Sequence, residues 1–489
     1  MNQLKPLIAL AILANIVLVG WLLLRQDPDS TGTTIGEAVT PLVSTNTFEE
    51  ARYDLSDRTD ELNIIVISLD ALRYDRTGFG GNPDGLTRNL DALAEESVVF
   101  HDVVTAAPWT LPSHMSMWTA RWPSIHGVTN KLKLLSADQM VETSLSPGIE
   151  TFPDHLIRAG YTAVGFTGGA GVQSSYGFGR DFETYLDDRY FGGLDYSSPA
   201  ALEWLSENRD KRFFMFLHGY DTHGQFPLPE GSLSGLGGDY SGELDGGIEE
   251  NAKLREEALA AIEAPGDAPD LTEALADEDI DFISQVYDRK VREADERLGS
   301  FIAQLKAMGL LDRTVIAVVS DHGDELMEHG SVDHGATLYQ EQLHTVMLLR
   351  FPGYERRQDI NTPVRTIDLF PTVFDAMGLT GPAGVDGESL LPLMRGKSMD
   401  LPLFSETDYR LFVHLRMIRS GDYKLILDLQ DGGRELYNLK TDPEENNDIS
   451  SAEPRVTYEM EQALRTWMNE TRTNPQDYLG VKQQPIKIF

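Results

Sequence analysis

Three stretches of this chain bring together residue types that hydrolytic chemistry uses. Asp321-His322-Gly323-Asp324-Glu325 follows the apolar run 315–320, so a carboxylate and an imidazole stand where a strand should end. That pair can hold a divalent cation, and Gly323 lets the backbone turn tightly, although a polar loop cap would use the same residues. Asp70 ends a second apolar run, 62–69, either as a ligand or as a capping aspartate. The third stretch reads Ala107-Pro108-Trp109-Thr110-Leu111-Pro112-Ser113-His114. Pro112 suits the first turn of a helix, which puts Thr110 at the helix N-terminus, where free backbone N–H groups face any bound anion. Taken alone, Thr110 could equally be an ordinary helix cap.

Strands and helices must carry these residues to one place. Residues 62–69 are a continuous apolar run rich in β-branched side chains, the pattern of a strand buried on both faces. Further strands are expected at 98–104, 162–166, 213–217, 315–320 and 346–351, with helices at 87–96, 152–159 and 280–308. The last helix carries an apolar stripe through Ile283, Val286, Val291, Leu298, Ile302 and Leu305, and Gly309 stands where it should stop. Alternating strands and helices predict an α/β fold with a mostly parallel sheet flanked by helices, and ligands in such sheets collect at the carboxyl ends of strands. Asp70, Asp321 and His322 would then arrive at one edge.

The rhythm breaks at 225–279, which is Gly-rich and then acidic, and reads as an insertion beside the site, a candidate lid. Short strands at 412–418, 423–427 and 435–439 and a helix at 453–470 predict a small α+β C-terminal subdomain over 401–489. Residues 61–400 are left as the catalytic domain. At the other end, 6–24 is uncharged and long enough to cross a bilayer, with no small-residue cleavage pattern after it. Residues 1–25 are therefore expected to be a transmembrane helix that anchors the chain, with 26–60 a polar tether and the body outside the cytoplasm, periplasmic or extracellular.

Composition removes several functions. Lys and Arg number 41 against 78 Asp and Glu, a formal net charge of −37, so a nucleic-acid partner is not expected. There is no cysteine, hence no disulfide, thiolate metal site or thiol nucleophile.

With these residues in view, the chain resembles the alkaline phosphatase/sulfatase superfamily. The stretch from Ala107 to Val128 is similar to the sulfatase signature Cys/Ser-x-Pro-Ser-Arg with its Gly-Arg-Tyr-Pro-x-x-His-Gly-Val-like ending. The strand opening onto Asp70, the Asp321 block, Arg365-Thr366-Ile367-Asp368-Leu369-Phe370-Pro371-Thr372 and Gly433-Arg434-Glu435-Leu436-Tyr437-Asn438-Leu439 match the same superfamily in order. The resemblance implies an alkaline-phosphatase-like fold and one divalent metal ion (Zn, Mn or Ca) held by Asp70, Thr110, Asp321 and His322. It implies catalytic roles for Thr110, His223 and His334. His114 stands where the signature has Arg, and His114 and His218 are expected to bind the substrate.

The departures matter for the chemistry. Sulfatases of this type oxidise Cys or Ser to formylglycine; a threonine would give a ketone, so no formylglycine is expected here. Thr is the nucleophile in relatives that handle phosphate esters. The leading expectation is thus a membrane-anchored, metal-dependent hydrolase or transferase acting on an anionic ester, a phosphate ester or phosphonate, through a covalent Thr110 intermediate. The alternatives are a sulfuric ester hydrolase acting without formylglycine and a catalytically silent anion-binding relative.

Overall fold

The structure, a computed structural model, describes residues 52–136, 139–229, 231–232, 240–263 and 271–471. Its centre is strand β1 (Asn63–Leu69), whose seven residues are all buried. The strands that follow are β2 (Val98–Val104), β3 (Leu132–Ser136), β4 (Gln139–Glu142), β5 (Thr162–Phe166), β6 (Thr184–Leu186), β7 (Phe213–Gly219) and β8 (Thr314–Val319). After them come β9 (Glu325–Leu326), β10 (Val332–Asp333), β11 (His344–Arg350), β12 (Gln358–Ile360) and β13 (Val364–Arg365).

The main sheet runs β12-β2-β11-β8-β1-β7-β5-β6, with β13 also on β2. Only β11 runs against its neighbours, so the sheet is mixed but mostly parallel. Along β1 the side chains alternate between two cores. Ile64 and Val66 pack with Phe100, Met115, Trp118 and Phe216, whereas Ile65 and Ile67 pack with Leu90, Leu298 and Phe301. Full burial of such a side chain contributes about 1.5–3 kcal/mol, which is why a strand buried on both faces reads as a nearly continuous apolar run.

Five helices matter for the site: α1 (Arg88–Ala94), α2 (Thr110–Thr119), α3 (Ile248–Glu263), α4 (Asp277–Ala307) and α5 (Pro454–Glu470). Helix α4 starts inside the expected insertion because Asp277, Glu278 and Asp279 crowd its first turn, and the Asp279 carboxylate accepts the Ala276 N–H at 2.9 Å. The described part of the insertion is no loose cover. Leu254 and Ala258 of α3, with Leu271, pack on Met327 and Val332.

The C-terminal segment forms a four-stranded antiparallel sheet, β14 (Leu403–Thr407), β15 (Leu415–Ser420), β16 (Tyr423–Asp428) and β17 (Arg434–Asn438), with α5 against it. Its core is continuous with Ala106, Trp122 and Ile367 of the main body. Strand β14 escaped the sequence pattern because it buries Ser405 and Glu406; the Glu406 carboxylate is paired with Arg416 at 3.0 Å.

The expected tether needs correction at its C-terminal end. Tyr53 and Leu55 are buried, the Tyr53 hydroxyl donates to Gln358 at 2.7 Å, and Leu55 N–H donates to Ala376 O at 2.7 Å. The folded body therefore begins before residue 53 rather than at 61. Among the described residues no helix is long and apolar enough to cross a membrane; the anchor expected at 1–25 lies outside them.

Candidate active site

Register brings the acids level. Ser68 of β1 pairs with His218 of β7 and Val319 of β8, so Asp70 and Asp321 emerge side by side at the carboxyl ends of adjacent strands. Ala71 takes a left-handed backbone (φ 60°), and its N–H donates to Asp321 Oδ1 at 3.1 Å, locking the two strand ends together. His322 stands beside them, Nε2 3.2 Å from Asp321 Oδ2 and 3.9 Å from Asp70 Oδ1. Its Nδ1–H donates to Gly323 O at 2.9 Å, which leaves the Nε2 lone pair facing the carboxylates.

Thr110 opens α2, with its Oγ1 3.4 Å from His322 Nε2. The helix places its N-terminal N–H groups and positive dipole end at this hydroxyl, which favours negative charge there. Across from it, Gly171 leaves no room: a Cβ on Gly171 would lie 2.8 Å from both Thr110 Cβ and Cγ2.

The donor set fits a divalent cation. Asp70 Oδ1 and Asp321 Oδ2 are buried with no hydrogen-bond partner among the described residues, and ligand atoms of Asp70, Asp321 and His322 lie within 4.8 Å of one another. Burial and the nearby Asp321 charge push the Asp70 carboxyl well above its usual range. Burial works against Asp321 too, yet His322 and His114 hold it well below. Two buried carboxylates facing one gap demand a positive charge between them.

His114 and His218, expected to bind substrate, sit elsewhere. Both are fully buried, and neither lines the cavity over Thr110. His218 Nε2 lies 3.2 Å from Asp70 Oδ2; His114 Nδ1 reaches Thr110 O at 2.9 Å and Asp321 Oδ2 at 3.3 Å, with its Nε2 on Ser68 Oγ at 2.8 Å. Their place is behind the carboxylates, where His218 bonds Asp70 Oδ2 and His114, bonded to Thr110 O and Ser68 Oγ, lies beside Asp321.

His223 and His334 do line the cavity, about 260 Å³, together with Thr110. His223 Nδ1 accepts the Gln225 N–H at 3.1 Å, so its hydrogen is on Nε2. Burial, then the neighbouring His334 charge, drive its pKa well below the imidazole value, and it stays a neutral donor. Burial also penalises a charged His334, but Asp333 and Asp324, at 2.8 and 2.6 Å from its Nδ1, outweigh it and hold the ring protonated. His334 is thus a buried cation packed 4.1 Å from the His322 ring and 4.8 Å from His223.

Sequence reasoning missed the cavity walls. Asn130 and Lys131, Tyr190 and Phe191, Arg255 of the insertion, and Tyr409 and Arg410 of the C-terminal segment all face it. Nothing in their local sequence marks them. Arg255 approaches Asp333 at 3.7 Å, and Arg410 forms a two-toothed pair with Glu256 at 2.9 and 3.1 Å. Lys290 was hidden in the expected apolar helix: burial lowers its pKa to about 8, and Nζ donates to the backbone of His223 and Gly224 at 3.0 and 2.8 Å.

This is the layout of an ester hydrolase, with acids, imidazoles and a hydroxyl carried to one sheet edge beneath a cavity. The chain belongs to the sulfatase family: residues 62–379 match the family model Sulfatase, and residues 327–474 match the model N-sulphoglucosamine sulphohydrolase, C-terminal. It is similar to Arylsulfatase K of Canis lupus familiaris, 22% identical over 481 residues covering 87% of this chain and 86% of that one. Delta 4,5-hexuronate-2-O-sulfatase of Bacteroides thetaiotaomicron is 24% identical over 436 residues, 79% of this chain and 84% of its own. The phosphonate monoester hydrolase of Agrobacterium radiobacter shares the fold at a TM-score of 0.67 and 19% identity, over 84% of this chain and 96% of that one. Family members generally bind a divalent metal, and this donor set suits one. A silent anion-binding role gives way to an enzyme.

Proposed function

We propose that this enzyme hydrolyses sulfate esters of a saccharide, with Thr110 as nucleophile. The observation that carries the reading is the meeting of Thr110 Oγ1 and His322 Nε2 at 3.4 Å beside two orphaned carboxylate oxygens, under a cavity that His223 and His334 also line. The sulfatase relatives favour sulfate over phosphoryl chemistry, which reverses the order of expectation drawn from Thr110 alone. A divalent cation (Zn, Mn or Ca) held by Asp70, Thr110, Asp321 and His322 would supply the positive charge that lowers the Thr110 hydroxyl pKa.

The chain's own groups do the rest. Ionised Thr110 attacks sulfur, and the S–O bond to the sugar breaks. The leaving oxygen takes the proton of His334, while neutral His223 donates a hydrogen bond to a sulfate oxygen. Water, returning a proton to His334, then attacks the sulfo-threonine at sulfur and releases sulfate and the Thr110 oxygen. Acid-quenched protein should carry a sulfo adduct on the Thr110 peptide. Thr110→Ala should release at least about a thousandfold less sulfate and Thr110→Ser should keep measurable turnover, since deleting a nucleophile removes the whole covalent route. Full sulfate release by Thr110→Ala ends the proposal.

A second reading keeps the same geometry for phosphate or phosphonate esters, with hydrolysis or transfer to an alcohol. It is favoured by Thr110 itself, because a threonine lacks the second hydroxyl by which a gem-diol expels sulfate. Sulfate and phosphonate esters of one alcohol, compared by kcat/KM, decide between the two. We also infer that residues 6–24 anchor the enzyme to a membrane with its body outside the cytoplasm, on the strength of that uncharged run.

A further inference from the structure

The alcohol half of the substrate must lie against the outer wall of the cavity, and one part of that wall is unlike the rest. Tyr190 is 58% exposed, one of the few large apolar side chains so exposed among the described residues. Its loop is nevertheless held tightly. Gly192 N–H donates to Gly168 O at 3.0 Å, and Tyr220 N–H donates to Gly192 O at 3.1 Å. A Cβ on Gly168 would strike Gly192 O at 2.1 Å, and one on Gly169 would strike Arg189 O at 1.9 Å, so the loop is seated directly on the segment that follows β5. Phe191 adopts a left-handed backbone (φ 59°), a conformation that costs energy in a bulky residue and is retained where the surroundings demand it. That twist sets the Phe191 ring edge-on to Tyr190 at 4.7 Å and over His223 at 4.7 Å. An exposed aromatic face is thereby braced, through one ring, against a histidine of the reacting centre.

Lys131 completes the feature. Its Nζ lies 3.2 Å from the Tyr190 hydroxyl and 5.5 Å from the centre of the Tyr190 ring. Arg255, Arg410 and His334, the other cations of the cavity, are each paired with a carboxylate. Lys131 has no carboxylate within 4.0 Å among the described residues. In a chain of net charge −37 an ammonium with no carboxylate partner among the described residues, at the mouth of an anion-cleaving site, stands out.

We propose that Tyr190 and Lys131 form a subsite for the alcohol half of the substrate: a sugar ring lies on the Tyr190 face, and a second anionic group on that sugar pairs with Lys131. This rests on the sulfate-ester reading above and names the substrate class it serves, an acidic saccharide with at least one negative charge besides the scissile ester. The ring supplies apolar contact at little entropic cost, and the ammonium supplies selection for charge.

The test compares a sulfated hexuronic-acid disaccharide with its carboxyl-reduced counterpart. Turnover by the wild-type enzyme and by Lys131→Met gives the acid-to-neutral ratio of kcat/KM. Binding of the same two sugars to Thr110→Ala, with and without Lys131→Met, gives the ratio of affinities without chemistry. Both ratios should exceed one in the parent and fall about tenfold or more with Lys131→Met, the loss of one charged hydrogen bond. Tyr190→Ala should raise KM for both sugars, and Tyr190→Trp should restore it. Equal ratios with and without Lys131, or unchanged KM in Tyr190→Ala, overturn the subsite. If neither sugar is cleaved but the binding ratio still depends on Lys131, the sulfate-ester reading fails and the subsite stands.

Discussion

Gly171→Ala is the sharpest probe of how Thr110 is held. Gly171 has no left-handed backbone requirement, so alanine introduces no conformational strain; everything it does comes from one methyl group. That methyl would sit 2.8 Å from Thr110 Cβ and Cγ2 and 3.2 Å from the Tyr220 hydroxyl, where 3.4–4 Å is ordinary contact. Relief requires a shift of about half an ångström or more at Thr110 or at the Gly171 segment, and the latter is tied down by its N–H bond to Tyr220 at 2.8 Å. On the nucleophile role proposed for it, a displaced Thr110 should cost roughly a hundredfold in kcat, and the overpacking about 1–3 kcal/mol in stability. Sulfate release gives the first quantity and thermal unfolding the second. Thr110→Ser in the Gly171→Ala background removes the Cγ2 clash but not the Cβ clash, so it should recover part of the stability. Wild-type kcat in a Gly171→Ala protein of unchanged Tm would refute the claim that this contact positions the nucleophile.

Three further outcomes are expected. Chelation should lower Tm and added Zn, Mn or Ca should restore it, by about 2.7 kcal/mol at a hundredfold excess over Kd; Asp70→Asn should abolish the response and, in chelator, be at least as stable as wild type, because it removes one of two repelling buried charges. The His329–Glu341 pair, at 2.5 Å, should stabilise the fold below about pH 6.5 and lose that contribution as pH rises through about 9, since burial lowers the His329 pKa but the Glu341 bond raises it to about 9; a pH-independent stability gap between wild type and His329→Gln would contradict this. Truncation just before residue 50 should leave a folded, active body, whereas truncation at 60 should destabilise it by deleting Tyr53 and Leu55 from the core; equal Tm for the two would count against the packing described.

The central strands were readable because β1 and β8 bury every residue and so carry uninterrupted apolar runs. Their carboxyl ends pointed to Asp70, Asp321 and His322 for the same reason. The helix start at Thr110 followed from Pro112. Strand β14 was invisible because its five buried residues include the polar Ser405 and Glu406, and Glu406 finds its partners, Ser124 N–H and Arg416, outside its own strand. His114 and His218 illustrate a different loss. A motif places a histidine near a centre, but the register of β7 (for His218) and the face of α2 (for His114) decide whether it lines the cavity or backs the carboxylates. Arg255 and Arg410 carried no local pattern, since each reaches the cavity through the packing of a separate segment.

That division between strand ends and outlying segments has an evolutionary consequence. Apart from His334, which follows β10, the proposed reacting groups ride on or just after β1, β7, β8 and α2, elements braced by two cores, while the outer wall of the cavity is supplied by the 130–131 turn, the 190–191 loop, α3 and the 409–410 turn. Insertions and substitutions in those four segments can exchange one leaving alcohol for another without retuning Thr110 or its neighbours. Diversification by segment replacement is therefore open to this scaffold, and chimaeras that graft the four segments from a relative should inherit the donor's preference at the recipient's intrinsic rate.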